Sequence, residues 1–130
     1  MSGRLRLEYA PRGYRSRAIA IAERCGAALL LSNGVIYLGL GGDGNRGALF
    51  AFDAASLTQR ASWNPTPTGV NGGIWQSGQG PLADAEGNIY LMIGNGTFDA
   101  DANGKNYGTS FVRLNLEGSD LGGHRLLHVV

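Results

Sequence analysis

The chain contains one short segment twice. Residues 33–38 read NGVIYL, and residues 86–91, which lie 53 positions later, read EGNIYL. Each copy continues through a glycine-rich stretch into a second apolar segment, at residues 48–53 and 110–115. Short apolar segments separated by glycine turns indicate strands, not helices. Because a small sheet cannot bury both faces without a neighbour, a repeat of this length predicts stacked blades of a β-propeller.

Composition agrees with a turn-rich β protein that has a folded core. The 130 residues include 22 glycines, and 43% of them are hydrophobic while only 16% are charged. A propeller needs at least about four blades of about four strands, and this chain has room for about two. The predicted fold class is therefore all-β, with antiparallel four-stranded blades of a partial β-propeller, and we expect the chain to be a fragment of a larger protein.

The turn signals divide the chain into four parts. Asn33-Gly34 is a hairpin signal between two apolar runs, and Pro65 and Pro67 cannot continue a central strand. The second unit carries nine extra residues between its middle strands, within residues 95–108. We predict an irregular lead-in at 1–25, a first blade at 26–67, a glycine-rich inter-blade loop at 68–80 and a second blade at 81–130. The predicted strands are 26–31, 35–40, 48–52 and 59–63 in the first blade, and 82–84, 88–93, 109–114 and 125–130 in the second.

These segments support a family resemblance. Residues 34–39 and 48–57, with the glycine loop between them, resemble the repeat of pyrroloquinoline-quinone-type (quinoprotein alcohol dehydrogenase-like) propellers. Residues 72–78, which read GGIWQSG, followed by 84–90 and 94–98, resemble a group of bacterial propeller proteins. The likeness covers residues 27 to 118. It implies a propeller whose axis holds pyrroloquinoline quinone near a calcium ion, in a family that is often extracytoplasmic.

The chain departs from that family pattern after its third strand. Typical quinoprotein repeats follow Ala-x-Asp with a Thr-Gly turn and place a tryptophan eight residues after the Asp. Here Leu57 stands at the glycine position, Ala61 stands at the tryptophan position, and Trp63 follows two residues later. Since side chains in a strand alternate between its faces, we expect Trp63 to face the same side as Ala61. These departures weaken the inference of a quinone cofactor.

A candidate metal site lies in the extra residues of the second unit. Residues 99–104 read DADANG, which places oxygen ligands at positions one, three and five and glycine at six, as in the opening of a calcium loop. Asp99, Asp101 and Asn103 are the predicted calcium ligands. Position twelve is Ser110, where a glutamate normally completes the shell. The alternative is an ordinary polar hairpin whose Asp and Asn side chains bind their own backbone.

Two glycine-rich loops offer candidate ligand-binding residues. Trp75 lies in a loop that is too long for a tight connector, and it either forms a floor for a flat ligand or packs between the blades. Asp43 and Asn45 lie in the first glycine loop. That loop and the Asp99 loop both connect second and third strands, so we expect them at one end of the blades. Asp43 and Asn45 are otherwise turn residues that tolerate left-handed conformations.

The sequence offers no catalytic constellation. It contains no Gly-x-Ser-x-Gly, no phosphate-binding loop and no nucleophile with an adjacent base. His124 and His128 would share one face of a helix as metal ligands, but the apolar residues around them indicate a strand, in which residues four apart are too distant to chelate a metal easily. Cys25, the single cysteine, excludes an intrachain disulfide and is expected to be buried and inert. We predict a non-catalytic structural or interaction module of a larger quinoprotein-like protein; the alternative is part of a pyrroloquinoline-quinone-dependent dehydrogenase.

Net charge and hydropathy limit the classes of partner that the chain can bind. The net charge of +1 offers no strong attraction to nucleic acid or to an anionic membrane. Residues 18–31 are apolar, but Glu23 and Arg24 leave runs too short for a bilayer span or a good signal-peptide core, so the compartment is undetermined. The expected partners are the remaining propeller blades or further copies of the chain. Five arginines fall in one short stretch of the N-terminus, either as a solvated lead-in or as a contact with a partner: Arg4, Arg6, Arg12, Arg15 and Arg17.

Overall fold

The computed structural model describes residues 27–41 and 47–117 and, for the backbone alone, Arg125–Leu127. Within these residues the chain forms eight strands in two four-stranded antiparallel sheets. The helical segments are two short 3₁₀ turns, Gln76–Gly78 and Ala100–Ala102, and none of the described helices has the length and apolar character to cross a membrane. The all-β prediction is confirmed.

The first sheet, called the first blade below, contains strands β1 (Leu30–Ser32), β2 (Val35–Leu40), β3 (Ala48–Asp53) and β4 (Gln59–Trp63), paired in that order. The hairpin between β1 and β2 has positive φ angles, 49° at Asn33 and 73° at Gly34, as its sequence predicts. The predicted bounds of β2 and β4 match the structure. β1 instead begins at Leu30 and continues to Ser32, because its pairing with β2 starts at Leu30 and Tyr37.

The second sheet, called the second blade, contains β5 (Leu82–Ala83), β6 (Ile89–Ile93), β7 (Ser110–Leu114) and β8 (Arg125–Leu127), again in sequence order. β5 and β6 are each one residue shorter than predicted at the turn that joins them. The cause is Asp84, whose carboxylate accepts a hydrogen bond from the Asn88 amide and closes the turn. The predicted end of the last strand, residues 128–130, lies outside the described residues.

One hydrophobic core joins the two blades. Alternate residues of β2 and β3 point into it from the first blade, and alternate residues of β6 and β7 point into it from the second, as the period of two requires. Strands β1 and β5 contact each other at one edge of this stack. The buried members of the core are Val35, Tyr37, Leu49, Ala51, Ala61, Ile74, Ile89, Leu91, Ile93, Val112 and Leu114.

The two blades use opposite faces to build this core. By the 53-residue offset, Tyr37 corresponds to Tyr90 and Leu38 corresponds to Leu91. Tyr37 is buried in the first blade while its counterpart Tyr90 is only half-buried, and Leu91 is buried while Leu38 is half-buried. The blades therefore stack front to back, which is how successive blades of a propeller pack.

Candidate functional site

The glycine-rich connection between the blades runs through the gap between their ends. The Ile74 amide donates to the Leu40 carbonyl at 3.0 Å, and the Gly94 amide donates to the Gly73 carbonyl at 2.8 Å. The connection is thus hydrogen-bonded to the ends of both β2 and β6. Ile74 is fully buried, and a methyl group on Gly39 would lie 2.6 Å from its Cγ2 atom. A glycine at position 39 is therefore required for this close approach.

Trp75 packs against three glycines at this junction. A Cβ atom would lie 2.5 Å from the indole Cδ2 at Gly41, 2.5 Å from Nε1 at Gly73 and 3.1 Å from Cδ1 at Gly94. This arrangement, the Trp75 platform, is the close glycine packing that the inter-blade alternative predicts. The side chain is nevertheless 40% exposed. Part of the indole therefore remains available to a planar ligand.

The residues after Trp75 adopt an unusual backbone conformation. Gln76 and Ser77 have φ angles of 45° and 50°, in the left-handed region that disfavours residues other than glycine. The Gln76 side-chain amide donates to the Gly80 carbonyl at 3.2 Å, while its Oε1 atom is buried and has no hydrogen-bond partner among the described residues. Strain and unpaired polar atoms of this kind concentrate at binding sites. The sequence reasoning missed Gln76, since nothing in the local pattern predicts a left-handed glutamine.

The extra residues of the second blade fold back over the inter-blade connection. Gly72 donates its amide to the Asn95 carbonyl at 2.9 Å, and Thr97 donates to the Val70 carbonyl at 3.1 Å. The Tyr107 amide donates to the Pro65 carbonyl at 2.8 Å. The insertion therefore clamps the connection against its own blade.

A buried asparagine organises this clamp. Asn106, 2% exposed, donates from its backbone amide to Asp99 Oδ1 at 2.8 Å and from its side chain to Asp99 Oδ2 at 2.6 Å. Its side chain also donates to Thr68 Oγ1 at 2.8 Å and accepts from the Thr68 amide at 3.2 Å. We call Asp99, Asn106 and Thr68 the Asn106 clasp. The sequence located the insertion but not the clasp, because Thr68 and Asn106 are 38 residues apart and share no local motif.

The predicted calcium ligands lie in one loop, but Asp99 differs from the other two. Both Asp99 oxygens accept hydrogen bonds from Asn106, whereas Asp101 and Asn103 are exposed. Asn103 has a φ of 64° and ends the Ala100–Ala102 turn. Within the described parts of the chain, no three His, Cys, Asp or Glu side chains are grouped so as to hold a metal ion. Asp99 accepts a hydrogen bond from the backbone of its own loop, as the polar-hairpin alternative expects, and calcium binding stays a prediction.

Several candidates lie outside the described residues. They include both members of the first glycine loop that were predicted to bind a ligand, together with the cysteine, the two histidines and the N-terminal arginines. These residues are Asp43, Asn45, Cys25, His124, His128, Arg4, Arg6, Arg12, Arg15 and Arg17.

Trp63 provides an aromatic contact between the blades. Ala61 pairs with Ala51 and Trp63 pairs with Leu49, so both β4 residues face the shared core. The Trp63 ring centroid lies 6.0 Å from that of Tyr107, which belongs to the insertion of the second blade. Such aromatic pairs add to the stability gained from burial alone. Trp63, which stands two residues after the tryptophan position of the resembled repeats, therefore contacts the insertion of the second blade.

Among the described residues, the carboxylate whose pKa is most strongly lowered supports a turn and lies apart from the Trp75 platform. Asp84 accepts hydrogen bonds from the Asn88 amide, the Asn88 side chain and the Tyr90 hydroxyl, each at 2.8 Å. These donors, the Asn88 side chain foremost, lower the pKa of Asp84 to about 2. The hydrogen bond to Asp84 raises the pKa of Tyr90, because it holds the phenol proton.

Comparison with known proteins gives one structural likeness. No family model and no curated protein matches the chain. A solved quinohemoprotein alcohol dehydrogenase from Pseudomonas putida is similar in structure, with a TM-score of 0.51 and 19% sequence identity. The alignment covers 76% of this chain and 19% of that protein. The likeness shows the fold, so the two blades are those of a partial β-propeller similar to a segment of that enzyme.

Proposed function

We propose that the chain is a non-catalytic β-propeller segment that acts as a structural and interaction module of a larger quinoprotein-like protein. The observation that carries this proposal is the front-to-back stacking, which buries one face of each blade and leaves the opposite face of each for a further blade. The fold likeness to a quinohemoprotein alcohol dehydrogenase, of which the chain spans 19%, supports a larger parent of that architecture.

An activity assay tests the non-catalytic part of the proposal. The purified chain is mixed with pyrroloquinoline quinone and calcium, and dye-linked oxidation of alcohols and sugars is followed. We expect no turnover above a protein-free control, because two blades cannot enclose a propeller axis. Substrate-dependent dye reduction that requires the chain would overturn the proposal.

A second candidate function rests on the Trp75 platform. In this alternative the parent is a pyrroloquinoline-quinone-dependent dehydrogenase, and the exposed part of the Trp75 indole contacts the planar cofactor. The quinone, when bound, would supply the electron acceptor for oxidation of the substrate. The contribution of this chain would be an aromatic surface that orients a flat ring system, held in place by Gly41, Gly73 and Gly94.

Tryptophan fluorescence tests that alternative directly. Trp63→Phe leaves Trp75 as the single tryptophan of the chain. If the platform binds the cofactor, pyrroloquinoline quinone quenches this fluorescence with a saturable isotherm. Binding should also change the absorbance spectrum of the cofactor, and that change should disappear in Trp75→Leu. Linear, non-saturating quenching would exclude the platform of this chain as a binding surface.

Calcium binding by the loop at residues 99–104 has its own test. Titration calorimetry with calcium on the wild-type chain is compared with Asp101→Ala, which leaves the Asn106 clasp untouched because Asp101 is exposed and outside it. If the loop is a metal site, binding is tighter than about millimolar, the weak end of natural calcium modules, and is lost in the variant. Absence of heat in both chains would leave the loop as a polar hairpin.

A further inference from the structure

We propose that the chain associates with further copies of itself head to tail, through the outer face of its first blade and the outer face of its second blade. The outer face of a blade is the side of its sheet opposite the shared core. The proposal rests on the stacking that also carries the proposed function, but it concerns the isolated chain. Its test measures the size of the associated species and not an enzymatic activity.

Across strands β1, β2 and β3, the outer face of the first blade is a continuous apolar surface, which ends at the polar residues Gln59 and Ser62 of β4. Neighbouring strands place Leu31 beside Ile36 and Ile36 beside Phe52, and the next row places Leu38 beside Phe50. The rings of Phe50 and Phe52 lie 6.2 Å apart. Leu31 is 67% exposed and the other four are half-buried. An uncharged apolar surface of this kind suits another protein surface, not a nucleic acid or an ionic ligand.

The second blade shows what such a surface binds. Its residues at the matching positions form the face that packs on the first blade. Ile36 and Leu38 match Ile89 and Leu91, which are 0% and 1% exposed, and Phe50 matches the fully buried Val112. The outer face of the first blade therefore repeats a surface that already carries a blade in this molecule.

The outer face of the second blade resembles the inner face of the first blade, which is the other side of the inter-blade interface. Leu82 pairs with Tyr90 as Leu30 pairs with Tyr37, and Leu30 and Tyr37 help to cover the second blade from the first. Here the same positions face outward, since Leu82 is 67% exposed and Tyr90 is half-buried. Tyr90 stacks on Phe111 with ring centroids 6.0 Å apart. The two outer faces of one chain thus correspond to the two sides of its own inter-blade interface.

The outer face of the second blade also differs from its counterpart. Met92, 59% exposed, replaces Gly39, and the charged Arg113 replaces Ala51. A cleft of about 450 Å³ opens beside Met92 and Phe111. Because these side chains are larger, two chains cannot pack as closely as the two blades of one chain do. We therefore expect association between chains to be weaker than the packing within a chain, and reversible. Because the two faces are different, the contact is heterologous and continues into open chains or closed rings.

Sedimentation velocity with two blocking variants tests this geometry. Leu38→Lys places a charge on the first outer face, and Met92→Lys places one on the second. We expect the wild-type chain to form species larger than a dimer as its concentration rises, and each variant alone to sediment as a monomer. An equimolar mixture of the two should form dimers and stop there, because each variant retains one intact face and the two intact faces match.

Controls separate blocked association from misfolding. Val70→Lys adds the same charge at a side chain that is 63% exposed on the inter-blade connection, and it should associate as the wild type does. Each variant should keep the β-type circular dichroism spectrum and cooperative melt of the wild type. If Leu38→Lys does not fold, Leu31→Lys replaces it, because Leu31 lies on the edge strand of the same face and is largely exposed.

Three outcomes would overturn the proposal. One is a wild-type chain that stays monomeric at all concentrations. Another is Met92→Lys associating as strongly as the wild type, which would indicate that two first-blade faces pair with each other. The third is a mixture of two folded variants that stays monomeric.

Discussion

At the scale of single residues, Asn106 is predicted to stabilise the fold through its side-chain hydrogen bonds. It is 2% exposed and forms four hydrogen bonds to Asp99 and Thr68. Asn106→Ala removes the side-chain bonds and leaves part-buried partners unsatisfied, so we expect a loss of about 1–3 kcal/mol in the free energy of unfolding. Urea denaturation measures it against Asn95→Ala, an exposed asparagine of the same insertion. Equal losses in the two variants would show that the clasp adds no stability.

Leu57 is a residue whose replacement should stabilise the chain. Its φ is 58° and its side chain is 67% exposed, at the position where the resembled repeats have glycine. A left-handed conformation costs a residue with a side chain about 1–2 kcal/mol, which outweighs the extra chain entropy of glycine. We therefore expect Leu57→Gly to raise the free energy of unfolding by about 0.5–1 kcal/mol. Leu57→Ala keeps the strain and should give no comparable gain; an equal gain would contradict this explanation.

Asp84 should make stability fall at low pH. Its pKa is about 2 in the folded chain, below the ordinary value of 3.8, so its contribution is present above about pH 4 and is lost as the pH falls towards 2. We expect Asp84→Asn to be less stable than the wild type near neutral pH, and the difference to shrink as the pH falls. Urea denaturation at several pH values measures this, with the exposed Glu86→Gln as control. A difference that is constant from neutral pH to pH 2 would exclude this linkage.

At the scale of elements, the inter-blade connection is expected to couple the two sheets. Ile74 is fully buried between the blade ends, so Ile74→Ala should leave a cavity and cost about 2–5 kcal/mol, whereas Ile74→Val should cost about 0.5–1.5 kcal/mol. Both variants should still unfold in one transition if the blades share one core. Separate transitions for the two sheets, or an Ala variant no less stable than the Val variant, would contradict the shared core.

The elements that could be predicted from the sequence are those with a local signal. Strand β2 alternates buried and half-buried residues along its whole length, and the Asn33-Gly34 turn fixes its start, so its bounds are correct. β5 has two residues and ends where the Asp84 carboxylate turns the chain, which depends on a hydrogen bond four residues ahead. The clasp and the strained Gln76 depend on contacts between distant segments. Such features have no periodicity to reveal them.

At the scale of the whole molecule, the repeat predicted the architecture but not which faces meet. The sequence shows the same Ile-Tyr-Leu run in both blades, and alternation alone does not tell which side of each run is buried. The structure resolves this because Gly39 in the first blade admits Ile74, while Met92 at the matching place in the second blade points outward. The replacement of Gly39 by Met92 and of Ala51 by Arg113 thus distinguishes the outer side of the stack from its inner side.

The central claim is that the two sheets are successive blades joined through one core, and nuclear Overhauser effects test it most directly. The account predicts cross-peaks from the Ile74 methyl groups to the Gly39 α-protons, and from the Trp75 indole protons to the α-protons of both Gly41 and Gly94. These should appear together with the strand pairings inside each sheet. Intact strand pairings without any of these cross-peaks would show that the connection does not join the two sheets and would contradict the account.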